Sequence, residues 1–394
     1  MKKITLAIIP VFLICIILIL GTKSNEEKEQ TNEITETRAI YFSYIEFNNY
    51  IKDKSENQSK ENIKEILDNI KDFGFNTIIV HVRPFADSIY KSEYYPISNT
   101  ILNDNNTIPN YDVLEYFITE SHKRNIKIEA WINPFRISNQ TNLSSISVES
   151  PYYKFVKNND AKIIEGKGIY LNPASSKVQE LIINGIKEII ENYDIDGIHF
   201  DDYFYPDKTI DLKSYEEYQK NNGTLSIDEY RLNNITTLIK EVSKVIKEKN
   251  KNILFGIAPE GNIENNYNKN YIDIKKILEE DYIDYIMPQI YYGFENQIKP
   301  FIETINEWNN LIKNKRIKLI PALAIYKSGT IDNYAGTGKN EWIENNDIIK
   351  KEILISRNIS NYQGFSLFRY EYIFSKEKIN KNLENEIKEI KTIL

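Results

Sequence analysis

From residue 38 onwards, the sequence alternates strand-like and helix-like segments eight times. Each strand candidate is a short run rich in Ile, Val, Phe and Tyr, and reads as buried on both faces. Amphipathic segments separate the strands, and in Glu61–Phe73 and Lys177–Asn192 the apolar residues recur at helical spacing. This alternation predicts parallel βαβ units. The strand candidates are Ala39–Phe47, Thr77–Pro84, Lys127–Pro134, Gly197–Phe204, Ile253–Glu260, Tyr285–Tyr291, Lys318–Tyr326 and Gly364–Tyr370.

The connections between these segments differ in length. Links from helix to strand are short, whereas four links from strand to helix are long and span residues 85–110, 135–174, 205–226 and 327–345. An eight-stranded (β/α) barrel carries its functional loops after the carboxyl ends of its strands. The sequence therefore predicts an α/β fold, a single (β/α)8 TIM barrel over residues 38–394, with long βα loops at its C-terminal face. A doubly wound open sheet is the alternative, because periodicity does not show whether a parallel sheet closes.

The first 37 residues have a different character. Two lysines precede an apolar run from Ile4 to Leu20, which predicts that residues 1–22 are a signal peptide or an N-terminal membrane anchor. No small-residue cleavage pattern follows the run, which favours the anchor. Residues 23–37 are acidic with few apolar side chains, which predicts a solvated linker. We expect a protein of the cell envelope or extracellular space, and the sequence leaves its oligomeric state open.

Composition narrows the chemistry. The 394 residues include one Cys and three His, and Lys+Arg 50 against Asp+Glu 57 give a net charge of -7. The only cysteine, Cys15, lies in the export run, and His81, His122 and His199 are scattered, so we predict no metal site and no cofactor. An acidic chain also disfavours nucleic acid as a partner. Catalysis must then use carboxylates, hydroxyls, amides and tyrosines.

The end of the fourth strand candidate has the densest group of polar side chains. Side chains alternate between the two faces of a strand, so His199, Asp201 and Tyr203 share one face. We expect Asp201 to face the barrel mouth and to be the reactive carboxylate. Asp202 is a second catalytic candidate, expected to be braced against the neighbouring loop or helix. A structural capping or salt-bridge cluster is the alternative, although charged groups at the end of a buried strand are costly without a function.

Hydrolysis of a glycosidic bond requires a second carboxyl group, because one group protonates the leaving oxygen while the other attacks or activates water. Glu260 ends the fifth strand candidate, next to Asp201 in a barrel, and is the candidate acid. A surface-loop glutamate is an equally good interpretation, and Glu371 after the eighth strand is a rival acid. Glu129 lies earlier in its strand and is expected to be too deep.

Further polar and aromatic residues near the strand ends are suited to sugar binding. Aromatic faces stack on the C–H surfaces of sugars, while amides and guanidinium groups donate hydrogen bonds to hydroxyl-rich ligands. Each residue alone is as easily structural, and the set is more informative than its members. The predicted substrate-binding residues are His81, Arg83, Asp87, Trp131, Asn133, Arg136, His199, Tyr203, Gln289, Tyr291 and Tyr292.

Over roughly residues 38–375, the chain resembles glycosyl hydrolase-like family 10. The resemblance implies a (β/α)8 barrel in exported bacterial proteins, with members implicated in cleaving cell-envelope polysaccharide, including peptidoglycan glycan strands. The segment Gly197–Asp201 is also similar to the fourth-strand nucleophile motif of α-amylase-type hydrolases, which carry an acid on the fifth strand, where this chain has Glu260. The resemblance rests on His81–Pro84 with Asp87–Tyr90, Ala130–Arg136, Asn172-Pro173, Asp196–Pro206 and Pro288–Tyr292.

The sequence thus predicts a glycosidase, an O-glycosyl bond hydrolase, that acts on a cell-envelope polysaccharide and above all on peptidoglycan glycan strands. Asp201 would be the nucleophile or electrostatic stabiliser and Glu260 the general acid. The alternative from another class is a carbohydrate-binding or scaffold barrel that lacks a competent acid. A polysaccharide deacetylase is a third option, which the scattered histidines disfavour because they form no metal-ligand motif.

Overall fold

Within the described part of the chain, eight parallel strands lie where the sequence predicts them. The computed structural model describes residues 36–146 and 150–394, so the predicted export segment and residues 23–35 of the predicted linker lie outside the described residues. The strands are β1 (Thr37–Phe42), β2 (Thr77–Arg83), β3 (Lys127–Ile132), β4 (Gly197–Phe200), β5 (Leu254–Ile257), β6 (Tyr285–Ile286), β7 (Lys318–Leu319 and Ala322–Leu323) and β8 (Gly364–Leu367).

The sheet closes on itself through β7. β1 pairs in parallel with β2 on one side and with β8 on the other. The first piece of β7 pairs with β6, and its second piece pairs with β8. Between the two pieces, the Ile320 N–H donates to the Ile286 carbonyl at 3.0 Å, and the Ser366 N–H donates to the Pro321 carbonyl at 3.0 Å. A doubly wound sheet would leave two open edges, so the predicted closed (β/α)8 barrel is confirmed.

Amphipathic helices cover the outside of the barrel. The long loops after β2, β3, β4 and β7 carry short elements of their own, including a three-stranded antiparallel sheet of Arg136–Ser138, Ala161–Ile164 and Gly168–Leu171. The barrel helices are α1 (Glu56–Phe73), α2 (Val113–Lys123), α3 (Ser176–Asn192), α4 (Ile227–Lys249), α5 (Ile274–Glu279), α6 (Phe301–Leu311), α7 (Ile348–Ser356) and α8 (Lys381–Lys391). The loop helices are Tyr44–Tyr50, Pro151–Lys157, Leu212–Lys220, Ile263–Asn268, Glu341–Glu344 and Glu371–Phe374, with 3-10 turns at Asn99–Ile101, Leu143–Ser145, Ile325–Lys327 and Gly336–Asn340. Among the described residues, no helix has both the length and the apolar character needed to cross a membrane.

The first predicted strand, Ala39–Phe47, is too long. β1 ends at Phe42, and Ser43 caps the helix that follows. The Glu46 carboxylate accepts the Ser43 N–H at 2.9 Å, which completes a capping box. The Ser-x-x-Glu signature is present in the sequence, but the apolar run continues through Phe47 and hides the change from strand to helix.

The other strands also end before the predicted residues, with β4 ending at Phe200 rather than Phe204 and β6 at Ile286 rather than Tyr291. At the barrel mouth the chain leaves the sheet while it is still rich in apolar and aromatic residues. Those residues therefore line the mouth instead of extending the strands.

The interior of the barrel differs from the layer between sheet and helices. Ile, Leu, Val and Phe dominate the outer layer, whereas the interior contains Tyr41, Trp131, Tyr285 and Met287 together with buried polar groups. Gly256 is required there, because a Cβ atom at this position would overlap the Tyr285 ring.

Glu36 joins the start of β1 to the segment before β8. Its carboxylate accepts hydrogen bonds from Arg357 Nε at 2.8 Å, from Tyr362 Oη at 2.6 Å and from Arg38 Nε at 2.8 Å. Burial alone would raise the pKa of Glu36, but these donors lower it from 4.5 to about 2. The residue that the sequence assigns to the linker therefore anchors the start of β1 to the residues that precede β8.

We expect Glu36→Gln to lower the free energy of unfolding by about 1 to 2 kcal/mol at pH 7, less than the full pKa shift implies because the site is partly open to water. The folded-state pKa is lowered, so the stabilisation is complete above pH 4.5 and disappears as the pH falls towards 2. Urea unfolding of both proteins from pH 7 down to pH 3 measures this difference. Glu61→Gln is the control, because the Glu61–Lys64 pair is exposed to solvent and is expected to contribute little to stability. An equal effect of the two substitutions at pH 7 would contradict the prediction.

Candidate active site

A cavity of about 280 Å³ opens at the carboxyl ends of the barrel strands. Its lining comes from the ends of β1 to β6 and β8, which is where the barrel fold places functional residues. The cavity brings together these residues that the sequence predicts for the site: His81, Trp131, Arg136, Asp201, Asp202, Tyr203, Gln289 and Tyr291.

Asp201 is fixed by three donors. Trp131 Nε1 donates to Oδ2 of Asp201 at 3.0 Å, and Asn133 Nδ2 donates to the same oxygen at 3.1 Å. The Tyr203 backbone N–H donates to Oδ1 at 3.2 Å. The predicted orientation of Asp201 into the mouth agrees with this geometry, since its side chain continues the inward-facing row of β4 above His199. Three N–H groups around a carboxyl group that is 4% exposed hold it in place as a hydrogen-bond acceptor.

Asp201 and Asp202 form an electrostatically linked pair. Burial raises the pKa of Asp201 to about 7, and the adjacent Asp202 charge contributes to the rise. Burial also raises the pKa of Asp202, and the charge of Glu260 adds to the effect. Two carboxyl groups in such an arrangement do not both ionise easily, so near neutral pH the pair holds a proton.

Asp202 does not occupy the position that strand alternation predicts. It lines the cavity together with Asp201, although consecutive residues of a strand point to opposite faces. The reason is that β4 ends at Phe200, so the alternation of the strand no longer applies at Asp202.

Aromatic rings form the floor and one wall of the cavity. The His81 ring stacks on Trp131 with 3.6 Å between ring centroids and 8° between planes. Arg136 lies 4.8 Å from the centre of the Tyr203 ring and 4.6 Å from that of Phe85. Burial lowers the pKa of His81 well below its ordinary value, so this imidazole packs as a neutral ring. The site therefore presents flat rings next to a cation and two carboxyl groups.

Arg83 lies away from the cavity because of a bulge in β2. The pairing with β3 runs from His81 opposite Trp131 to Arg83 opposite Ile132, which inserts one extra residue in β2. The guanidinium group consequently points out of the barrel, 4.2 Å from the centre of the Tyr95 ring, and Arg83 is 1% exposed. Arg83, which the sequence predicts to bind substrate, therefore does not line the cavity.

Three further predicted residues lie outside the lining. Asn133 is buried behind Asp201, where it orients the carboxylate. His199 is fully buried beneath the cavity, where its ring bonds to two tyrosines. Asp87 lines a neighbouring depression, and burial raises its pKa.

Glu260, the predicted acid, is beside the cavity rather than in its lining. Asn265 Nδ2 donates to its Oε1 at 2.5 Å, and Gln289 pairs with it across the strand ends. Tyr292, a predicted sugar-binding residue, lies near Glu260; burial raises the pKa of this phenol, and the Glu260 charge adds to the rise. The rival acid Glu371 binds Arg369 at 2.8 Å and is also outside the lining. Glu129 is buried inside the barrel, as expected from its early position in β3.

The cavity is also lined by residues from the ends of β1, β5 and β8 that the sequence does not predict. Tyr41 and Phe368 are aromatic residues within apolar strand runs and have the same sequence pattern as core residues, and the three residues after Phe42 belong to the unpredicted capping-box helix. The missed lining residues are Tyr41, Ser43, Tyr44, Ile45, Ala258 and Phe368. Among residues 36–146 and 150–394, no group of His, Cys, Asp and Glu side chains is placed to hold a metal ion.

Comparisons with known proteins identify a family and two relatives of this chain. A family model described as "Glycosyl hydrolase-like 10" matches residues 36–336. Glycosyl hydrolase YngK of Bacillus subtilis (strain 168) is 32% identical over 346 residues, which cover 82% of this chain and 64% of YngK. This chain thus spans less than two thirds of that relative. Glycosyl hydrolase DigH of Escherichia coli (strain K12) is 29% identical over 331 residues, which cover 78% of this chain and 74% of DigH.

A solved structure supports the fold alone. The glycoside hydrolase domain of PgaB (BpsB) from Bordetella bronchiseptica aligns with a TM-score of 0.55 at 11% identity, covering 85% of this chain and 94% of that chain. At this identity, the likeness extends to the architecture of the barrel and not to individual side chains.

The indole of Trp131 reports on the charge of Asp201, because the two groups share a hydrogen bond. We expect Trp131 fluorescence, taken as wild type minus Trp131→Phe, to change in one step near pH 7, where the pKa of Asp201 lies. His81 stays neutral across this range and adds no step. Asp201→Asn should abolish the step, whereas the control Asp194→Asn, whose side chain is 95% exposed, should retain it. A step that persists in Asp201→Asn would show that another group titrates.

Proposed function

Since the chain belongs to the glycosyl hydrolase-like 10 family, we propose that it is a glycoside hydrolase that cleaves a cell-envelope polysaccharide, with peptidoglycan glycan strands as its substrate. The observation that carries this proposal is the pair of carboxyl groups, Asp201 and Asp202, in one aromatic cavity at the barrel mouth. Two carboxyl groups beside a sugar site are the groups that hydrolysis of a glycosidic bond requires.

Asp201 is the anionic member of the pair. All three hydrogen bonds to its carboxyl group come from N–H donors, which stabilise the charged form relative to the protonated form. A fixed anion beside the anomeric carbon acts as the nucleophile or stabilises the positive charge that develops on the sugar ring. This is the role that the sequence analysis assigns to Asp201.

Asp202 is the proton donor in this proposal. It shares the cavity with Asp201, and burial raises its pKa, with the charge of Glu260 adding to the rise, which favours the protonated form that a general acid needs. The sequence predicts Glu260 as the general acid, but Asn265 holds the Glu260 carboxylate outside the cavity lining. The arrangement favours Glu260 as the group that tunes Asp202.

These roles define a balanced reaction. Asp202 transfers its proton to the glycosidic oxygen as the bond from this oxygen to the anomeric carbon breaks. Asp201 stabilises or bonds to that carbon. A water molecule then attacks the anomeric carbon and loses a proton to Asp202, which returns both carboxyl groups to their starting states.

The remaining lining suits a carbohydrate with acidic substituents. The rings of Trp131, Tyr203 and Tyr291 offer flat faces to sugar C–H surfaces. Arg136 is the cation among the described lining residues, and a glycan with free carboxylate groups, such as peptidoglycan strands whose lactyl groups carry no peptide, supplies an anion for it. The predicted export segment agrees with a substrate outside the cytosol.

A carbohydrate-binding barrel without hydrolytic activity is the second candidate. It is favoured by the 4% exposure of Asp201, which leaves a small part of the reactive group open to a polymer. The two functions differ in one observable, because hydrolysis creates new reducing ends and binding alone creates none.

We expect Asp201→Asn and Asp202→Asn each to reduce kcat/KM on purified glycan strands by about 10²- to 10⁴-fold, the range for loss of a catalytic acid or base. Glu260→Gln should retain activity within about 10-fold. It should also move the basic limb of the pH profile to lower pH, because removal of the Glu260 charge lowers the pKa of the acid Asp202. Release of reducing ends between pH 5 and pH 9 measures all three effects.

The Glu260 variant decides between the two acids. If Glu260→Gln abolishes turnover while Asp202→Asn retains it, Glu260 is the acid, as the sequence analysis has it. Unchanged turnover in Asp201→Asn would exclude the proposed mechanism altogether. Binding of glycan by wild type without new reducing ends would instead establish the binding barrel.

The acidic-substituent hypothesis makes a separate prediction. We expect glycan strands that carry lactyl carboxylates to be cleaved at least about 10-fold faster than neutral chitin oligomers of the same length, a preference of about 1.4 kcal/mol. Arg136→Gln should reduce the preference by lowering the rate on glycan strands more than the rate on chitin oligomers. Equal rates on both polymers in wild type would exclude Arg136 as a selector.

A further inference from the structure

A chain of four hydrogen-bonded side chains runs from the cavity floor into the barrel. Tyr41 Oη lies 3.0 Å from His199 Nε2, and His199 Nδ1 lies 2.8 Å from Tyr285 Oη. The Tyr285 hydroxyl in turn donates to Oε2 of Glu129. The four residues are between 0% and 4% exposed, and Tyr41 lines the cavity. The chain therefore joins the candidate active site to a carboxyl group on β3 that the proposed mechanism does not use.

The Tyr41 hydroxyl has two acceptors for one proton. His199 Nε2 and Met287 Sδ both lie 3.0 Å from its oxygen. A thioether sulfur only accepts, whereas an imidazole nitrogen accepts or donates according to its tautomer. The tautomer of His199 therefore decides where the Tyr41 proton points.

The protonation state of Glu129 fixes that tautomer. When Glu129 is ionised, it accepts the Tyr285 proton, Tyr285 accepts from Nδ1–H of His199, and the bare Nε2 accepts the proton of Tyr41. When Glu129 is protonated, each bond reverses. Glu129 donates to Tyr285, Tyr285 donates to Nδ1, and Nε2–H donates to Tyr41. The same positions of the heavy atoms serve both arrangements.

We propose that Glu129, Tyr285 and His199 are positioning residues that set whether the Tyr41 hydroxyl accepts or donates at the floor of the site. The conversion adds one proton in total to the four hydrogen-bonded side chains. One proton enters at the Tyr41 oxygen, the Tyr41 proton moves to Nε2, the Nδ1 proton moves to Tyr285, and the Tyr285 proton moves to Glu129. With Glu129 protonated, Tyr41 donates to Met287 or to a ligand oxygen in the cavity.

The groups around Glu129 and His199 place this change of tautomer near neutral pH. Burial raises the pKa of Glu129 to about 7, the charge of Asp196 adds to the rise, and the Tyr285 hydrogen bond, Lys127 and Lys318 oppose it. Burial lowers the pKa of His199 to about 3, so its imidazole stays neutral and changes only its tautomer.

Burial raises the pKa of Tyr41 well above its ordinary value, and the charged groups that face this phenol, Glu129, Asp201 and Asp202, add to the rise. Tyr41 therefore keeps its proton in both arrangements. The direction of that proton, and not its presence, is what changes.

The consequence for catalysis rests on the proposed function. A Tyr41 hydroxyl that donates towards the cavity stabilises negative charge on a sugar oxygen, and one that accepts does not. The tautomer of His199 is a property of the barrel itself and is measured without any substrate.

Nitrogen-15 NMR of the full chain with labelled histidine tests the proposal, since the sequence has three His to assign. As the pH rises from about 5.5 to about 8.5, we expect the imidazole proton of His199 to move from Nε2 to Nδ1. The two nitrogens should then exchange the chemical shifts that are typical of a protonated and an unprotonated imidazole nitrogen. His81 should stay neutral and show no such change. A His199 spectrum that does not change with pH would overturn the proposal.

Two variants separate Glu129 from the other carboxyl groups. In Glu129→Gln and in Tyr285→Phe, the His199 tautomer should be independent of pH, because the titrating end is removed or disconnected. Glu352→Gln is the matched control, since Glu352 is another fully buried carboxyl group with a raised pKa, on α7. It should keep the exchange. Exchange that persists in Glu129→Gln would show that Asp201 or Asp202 drives it.

The pH dependence of kcat/KM provides a second test, and the NMR result can be interpreted without it. If the proposed hydrolase function holds, Tyr285→Phe should change the pH dependence of kcat/KM while the fluorescence step of Trp131 remains. If wild type does not hydrolyse glycan, but its His199 tautomer changes with pH and Glu129→Gln abolishes this change, the proposed control of His199 by Glu129 is supported and the proposed hydrolase function is not. If wild type hydrolyses glycan but its His199 tautomer does not change with pH, the hydrolase function is supported and the control of His199 by Glu129 is excluded.

Discussion

In the pairing of β3 with β4, Trp131 lies opposite His199, and Glu129 lies opposite Gly197. This parallel register decides which side chains enter the barrel, because a slip by one residue would exchange the inward and outward faces of a strand. With the observed register, Trp131 reaches Asp201 just beyond the end of β4, and His199 reaches Tyr285 below it. The donor set at the mouth and the polar chain in the interior are two results of one strand pairing.

Two glycines allow such large side chains to share the interior. At Gly197, a Cβ atom would lie 3.1 Å from Cγ of Glu129, and at Gly256 it would overlap the Tyr285 ring. Glycine in a strand weakens it locally and frequently marks a place where another group approaches closely. Here the missing side chains of β4 and β5 provide the space in which the Glu129 and Tyr285 groups meet. The barrel gives up aliphatic packing at these positions in exchange for a buried hydrogen-bond network, which fixes geometry when all its members are satisfied.

The sequence predicts the fold well because the periodic features span many residues. The eight strand sites and the inward orientation of Asp201 follow from apolar runs and from alternation of period two. Local departures are what it does not predict. The bulge after His81 turns Arg83 outwards, and the end of β4 at Phe200 turns Asp202 into the cavity. Neither a bulge nor the last paired residue of a strand leaves a periodic mark, so the positions of individual site residues depend on pairing that only the three-dimensional structure shows.

Burial has opposite effects on the two kinds of titratable group in this barrel. It lowers the pKa of His81 and His199, so both imidazoles are neutral and pack or relay as uncharged rings. It raises the pKa of Asp201 and Glu129 to about 7, which makes carboxyl groups the ones that change charge near neutral pH. In most proteins histidine is the residue that changes charge near neutral pH, since its unperturbed pKa lies closest to 7. In this barrel the low-dielectric interior makes carboxyl groups, and not histidines, the groups that titrate near neutral pH. A protein with three histidines thereby retains proton chemistry at neutral pH, carried by carboxyl groups whose protons are held by desolvation rather than by their intrinsic affinity.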